Sequence, residues 1–210
     1  MNTLQQNANL PEAHVRVIME QILLTMDLFK NKKVVHRDIK LENVLIKSID
    51  DAAQYEVRVA DFGLACITPN DEYLYNKCGS PGYVAPEIFT GEGYSYKADL
   101  FSAGSVLYNL LTGRFLFLGG SPDICLKLNA ECDLSQAKPF LSHISELCRD
   151  LLMWLLEADP EDRPSAKEAL KHDWFQEDKA IIADLLKQNK TLKCTPGAHN
   201  KSVAGKGLQI

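Results

Sequence analysis

The 210-residue chain has no long apolar run. Its most apolar stretch, 100–118, is interrupted by Ser102, Ser105, Asn109 and Arg114, so no membrane span is expected. Residues 1–10 are polar and lack a cationic start, so no secretory signal is expected and an intracellular setting follows. A basic excess is missing too. The 23 Lys and Arg stand against 28 Asp and Glu, a net charge of −5, which disfavours nucleic-acid binding through a broad basic surface. Six cysteines form no close pair and have no histidine at zinc-ligand spacing, which argues against a disulfide framework or a zinc site. No repeat is evident, and neither Gly-x-Gly-x-x-Gly nor Gly-x-x-x-x-Gly-Lys-Ser/Thr occurs in the 210 residues.

What is present fits one globular domain with tails: 46% apolar and 24% charged residues are enough for a core. Residues 1–10 have no period and read as a linker. Pro11 and Glu12 suit the first turn of a helix. Val15, Ile18, Met19, Ile22, Met26 and Phe29 then give it one apolar face. Val44–Ile46 and the alternating Tyr55, Val57 and Val59 read as a small hairpin around a turn-rich 48–54. Residues 61–86 have no sustained period and read as about 25 residues of loop, a length that is usually functional or disordered.

Helices are expected afterwards. Residues 97–113 are apolar nearly all round and read as a buried central helix ended by Gly113. Shorter helices are expected over 122–130, through Ile144–Leu155 with a stop at Asp159-Pro160, and over 165–172. Residues 185–210 hold five lysines and no acid, a solvated tail or a docking strip for acidic groups. A domain over 11–175 is expected, followed by a C-terminal helix and basic tail over 176–210.

Four segments stand in fixed order: His36-Arg37-Asp38-Ile39-Lys40-Leu41-Glu42-Asn43, Asp61-Phe62-Gly63, Ala85-Pro86-Glu87, and Arg163 within Asp159–Pro164. Singly each has an ordinary reading. Asp38 and Arg37 are a plausible surface pair, Asn43 a turn residue, and His36 a core histidine. Together they resemble the large lobe of eukaryotic protein kinases. The expected fold is therefore mainly α, a kinase-like large lobe with a small β-hairpin and without the N-terminal β-rich lobe.

The resemblance implies roles. Asp38 matches the base that accepts the hydroxyl proton, and Lys40 the residue that steadies the transferring phosphate; the lysine points to Ser/Thr rather than Tyr substrates. Asn43 and Asp61 match ligands of Mg2+, which needs few protein oxygens. Leu45 and Ala60 would border the adenine of ATP. Glu42 would meet a basic side chain of the protein substrate. Ser80 and Gly82, in Gly79–Glu87, would lie in the segment that receives the residue after the phosphoacceptor. His36, Arg37, Phe62, Gly63, Asp99 and the Glu87–Arg163 pair match structural positions. Lys171-His172-Asp173-Trp174-Phe175 is similar to calmodulin-dependent-type kinases.

Several departures matter. Only 35 residues precede His36, too few for the small lobe with its Gly-rich loop, strand lysine and helix glutamate. Weak Mg-ATP binding and little turnover are expected of this chain alone, with an apolar lobe surface awaiting a small lobe or regulatory partner. Asn76 stands where related kinases carry a phosphorylatable threonine; Thr68, Tyr73 or Tyr75, or the acids Asp71 and Glu72, are the substitutes. Asn109 replaces an acid of some basophilic kinases. Two readings result: a Ser/Thr kinase lobe, and a non-catalytic lobe that docks partners as a scaffold.

Overall fold

A computed structural model of the protein describes residues 2–3, 10–48 and 55–176. The expected C-terminal helix and lysine tail, with Cys194, and the hairpin turn at 49–54 lie outside the described residues. So does most of the expected linker.

Helix α1 (Glu12–Asn31) starts just after Pro11, whose extended ψ of 141° makes it the cap rather than the first helical residue. Val15, Ile18, Met19, Ile22 and Met26 are buried, with Leu23 beside them, while Phe29 is half-buried. This face packs on α3 (Lys97–Thr112). Every residue of α3 from Ala98 to Leu111 is buried, as its apolar composition requires. Gly113, in the left-handed region at φ 68°, closes it. Gly104 lets α5 (Glu146–Leu155) come close: a Cβ there would lie 2.9 Å from a Leu156 side-chain carbon.

The hairpin joins β3 (Val44–Ser48) and β4 (Tyr55–Val59), antiparallel with Val44 opposite Val59. Val44, Ile46 and Val57 face the core. Two residues in the expected linker, β1 (Asn2–Thr3), pair with the outer edge of β3, making three strands. A two-residue strand is too short to show a period. Likewise the expected loop 61–86 contains β5 (Cys66–Ile67), paired with β2 (Val34–Val35), and Leu74 bridges to Tyr94.

The remaining described α-helices are α2 (Glu87–Thr90), α4 (Pro122–Glu131) and α6 (Ala166–Ala169). Serines cap three helices: Ser121 on α4, Ser145 on α5, and Ser165 on α6, where Glu168 completes a capping box. Helix α5 stops at Leu155, four residues before Asp159, and α6 is shorter than the expected 165–172. No helix among the described residues is long and apolar enough to cross a membrane. The five described cysteines are free thiols.

Candidate active site

The segment after β2, which holds His36 to Asn43, is held from below by α3. Asp99, in the first turn of α3, accepts backbone N–H bonds from His36 at 2.7 Å and Arg37 at 2.8 Å. Burial pushes its carboxyl above the ordinary range, and the two N–H bonds draw it only partly back. His36 is fully buried. Its Nδ1 accepts from the Asp38 N–H, which leaves Nε2 as the donor to the Ala60 carbonyl at 3.1 Å. One imidazole thus joins the segment to the end of β4.

That junction brings the hairpin ends together. The Ala60 N–H donates to the Asn43 carbonyl at 2.8 Å, so Asp61 follows directly on the residue facing Asn43. Arg37 and Asp61 both hold left-handed backbones, at φ 68° and 62°. Each such non-glycine residue costs about 1–2 kcal/mol, so the neighbouring bonds must hold it in place.

The Asp38 carboxylate is the centre of the network. Its Oδ1 accepts from Ser80 Oγ at 2.7 Å. Its Oδ2 accepts from Lys40 Nζ at 2.8 Å and Asn43 Nδ2 at 3.1 Å. Lys40 also donates to Ser80 Oγ at 2.9 Å. Burial alone would raise Asp38, but the hydrogen bonds from Lys40, Ser80 and Asn43 outweigh it and hold the carboxyl below its ordinary 3.8. The group is therefore ionised at neutral pH and sits where a hydroxyl could reach it.

Asn43 also donates to the Asp38 carbonyl at 2.8 Å, so both its bonds use Nδ2. Its Oδ1 takes no hydrogen bond among the described residues. Asp61 is exposed and accepts from the Gly63 N–H through Oδ1 at 3.1 Å; its other oxygen is free among them. One amide oxygen and one carboxylate are a hard donor set that suits Mg2+ shared with phosphates and water. Among the described residues no group of three His, Cys, Asp or Glu could hold a metal without such sharing.

The other expected site residues take these places. Leu45 is half-buried on the face of β3 opposite Val44 and Ile46, and Ala60 is half-buried at the end of β4. Phe62 lies 5.0 Å from the His36 ring and 5.5 Å from Phe29, yet is 51% exposed. Among the described residues, Glu42 has a buried Oε2 with no hydrogen-bond partner, as does Asn109 at Oδ1. Glu87 and Arg163 form a buried two-point pair at 2.7 and 3.0 Å. Arg37 meets no acid among the described residues. Its Nε donates to the Leu64 carbonyl at 2.6 Å, and its side chain bonds Tyr94.

The residues expected to substitute for a phosphorylatable threonine at Asn76 are differently placed. Thr68 is buried and bonds the Lys33 carbonyl. Asp71 pairs with Lys33 at 2.5 Å, and Glu72 accepts from Asn70. Tyr73 and Tyr75 are exposed.

Three residues that hold the site gave no sign in the sequence. Tyr94 donates to the Asn76 carbonyl at 2.7 Å, and burial pushes its phenol up to about 12. Ser102 donates to the Tyr83 carbonyl at 2.8 Å. Asn129 bonds both Gly82 and Val84. Only their burial marks them, and local spacing does not report it.

Comparison with known proteins matches residues 1–175 to the family described as Protein kinase domain. "Probable serine/threonine-protein kinase 2" of Plasmodium falciparum is 34% identical over 82% of this chain and 33% of its own length. The bovine "Phosphorylase b kinase gamma catalytic chain, liver/testis isoform" is 35% identical over 82% of this chain and 43% of its own. Bovine "Serine/threonine-protein kinase 33" is 31% identical, with 82% and 37% covered. The chain therefore spans less than half the length of these relatives.

Proposed function

The chain belongs to the protein kinase domain family, and we propose that it forms the large lobe of a serine/threonine kinase that moves the γ-phosphate of ATP onto a protein hydroxyl. One observation carries this reading: the Asp38 carboxyl shares its two oxygens among Ser80, Lys40 and Asn43. A surface ion pair needs no such convergence.

In the reaction, the substrate hydroxyl oxygen bonds the γ-phosphorus while the bond to the β,γ-bridging oxygen breaks. The hydroxyl proton passes to Asp38, and ADP leaves. The transition state is loose, so the residues contribute chiefly position and charge. Lys40 lies within 2.8 Å of Asp38 and supplies positive charge where the phosphoryl group transfers. Asn43 and Asp61 would hold Mg2+, which neutralises charge on the phosphates. Leu45 and Ala60 offer apolar surface to adenine.

The same geometry supports a reading of substrate recognition. A buried Glu42 oxygen without a partner is unfavourable unless a donor reaches it, which fits a basic side chain on the substrate. Gly79–Glu87 carries Ser80 into contact with Asp38, which fits a segment that seats the residue after the phosphoacceptor. Exposed Phe62 and Leu64, beside Asp61, fit a surface that a small lobe covers while closing over the nucleotide.

The test is magnesium-dependent stabilisation by ATP. A ligand at 100 times its Kd contributes about 2.7 kcal/mol. The 210-residue chain alone is expected to show a much smaller shift at the same ATP concentration than a form bearing a small lobe. In both, Asp61→Ala should remove the magnesium dependence. A shift indifferent to magnesium and to Asp61→Ala contradicts the reading.

A further inference from the structure

Taking Gly79–Glu87 as the substrate-receiving segment, as proposed above, we propose that Asn129 is a positioning residue that sets how the segment selects the residue after the phosphoacceptor.

Asn129 lies near the end of α4 and is fully buried. A buried amide must find partners for both its ends. Both partners lie in the segment: Oδ1 accepts from the Gly82 N–H at 2.8 Å, and Nδ2 donates to the Val84 carbonyl at 2.9 Å. Neither bond serves α4, and asparagine is a weak helix former, so helix stability does not account for the residue.

The two bonds complete a clamp. Ser102 of α3 takes the Tyr83 carbonyl, and the Tyr83 N–H returns to the Ser80 carbonyl. The backbone of 82–84 is thus fixed from two helices. Gly82 holds φ 91°, a left-handed conformation that aims its N–H at Asn129. Two residues upstream, Ser80 touches Asp38. A displacement of Gly82 would therefore reach both the seat of the following residue and the carboxylate.

The planar amide offers an acceptor and a donor side by side. Aspartate keeps the acceptor for Gly82 but turns an oxygen toward the Val84 carbonyl. Alanine satisfies neither group.

The test uses fluorescein-labelled serine peptides that differ only after the serine, with an apolar, a charged or a proline residue. They are titrated by anisotropy against wild type, Asn129→Ala and Asn129→Asp, with amide hydrogen exchange read on the same proteins. Wild type should rank the peptides. Asn129→Ala should flatten the ranking to within twofold and speed Gly82 exchange at least tenfold, while α3 amides keep their protection. Asn129→Asp should keep Gly82 slow and still weaken the ranking. A wild type without ranking overturns the proposal, and so does an Asn129→Ala protein that ranks as wild type does. If Asn129→Ala loses α3 protection as well, it has unfolded, and the ranking by Asn129→Asp decides. Peptide ranking needs no turnover: intact ranking without phosphoryl transfer by a form bearing a small lobe contradicts the kinase reading and leaves Asn129 its role.

Discussion

Ser80 Oγ stands 2.7 Å from Asp38 Oδ1 and donates to it, while Lys40 donates to the same hydroxyl. The serine thus ties the segment 79–87 to the proposed base and helps keep that base ionised. Removing the hydroxyl takes away one of the bonds that lower the Asp38 pKa. In Ser80→Ala the carboxyl should rise, and the acid limb of the kcat/KM profile should move to higher pH. A hydrogen bond to a charged group contributes about 1.5–3 kcal/mol, so kcat/KM should fall roughly 10- to 100-fold near neutral pH. The pH–rate profile of the variant checks both.

The Glu87–Arg163 pair carries a stability prediction. Arg163 also donates to the carbonyls of Lys97, Glu157 and Ala158. Arg163→Ala therefore leaves a buried carboxylate and three carbonyls without their partner, at a cost of about 3–5 kcal/mol. Glu87→Ala leaves the guanidinium its three carbonyls and should cost less. Urea denaturation of both variants gives the order, and equal losses would contradict it.

Glu12 makes an acid-sensitive joint between distant parts of the chain. It accepts from Trp174 Nε1 at 2.6 Å and from the Ser145 N–H at 3.1 Å. Burial alone would raise its pKa, but these bonds and Arg16 hold it below the ordinary 4.5. A depressed folded pKa means the stabilisation is complete above 4.5 and is lost as pH falls through the lower folded value. Tryptophan emission and the melting temperature should change together in that acid window. Glu12→Gln should remove this contribution to the pH dependence.

Tyr94 holds the stretch before Gly79 through the Asn76 carbonyl, with its backbone paired to Leu74. Tyr94→Phe keeps the ring and loses the hydroxyl, a change of about 0.5–1.5 kcal/mol. Local opening of 74–78 should rise accordingly, roughly 2- to 13-fold. Limited proteolysis within that stretch reports it, and unchanged cleavage would show that the hydroxyl does not hold the loop.

The order of helices and the hairpin were legible because their signals are periodic and local. The hairpin follows from the alternation of Tyr55, Val57 and Val59, and the burial of α3 from apolar residues spread nearly all round it. β1, β5 and the Leu74–Tyr94 bridge were not, because two-residue pairings depend on partners distant in sequence. The site divides the same way. Motif order pointed to Asp38, Asn43 and Asp61. What holds their surroundings in place, the amide of Asn129, the hydroxyls of Ser102 and Tyr94, and the bond from Arg37 to the Leu64 carbonyl, arises only from tertiary packing.

The central claim, that Asp38 accepts a hydroxyl proton during phosphoryl transfer, is tested most directly by transfer of labelled γ-phosphate to matched serine and tyrosine peptides. The protein is assayed with a small lobe present, as wild type and as Asp38→Asn. Transfer to serine alone is expected, with a loss of about 10²- to 10⁴-fold in the variant. Equal labelling by wild type and Asp38→Asn would contradict the account.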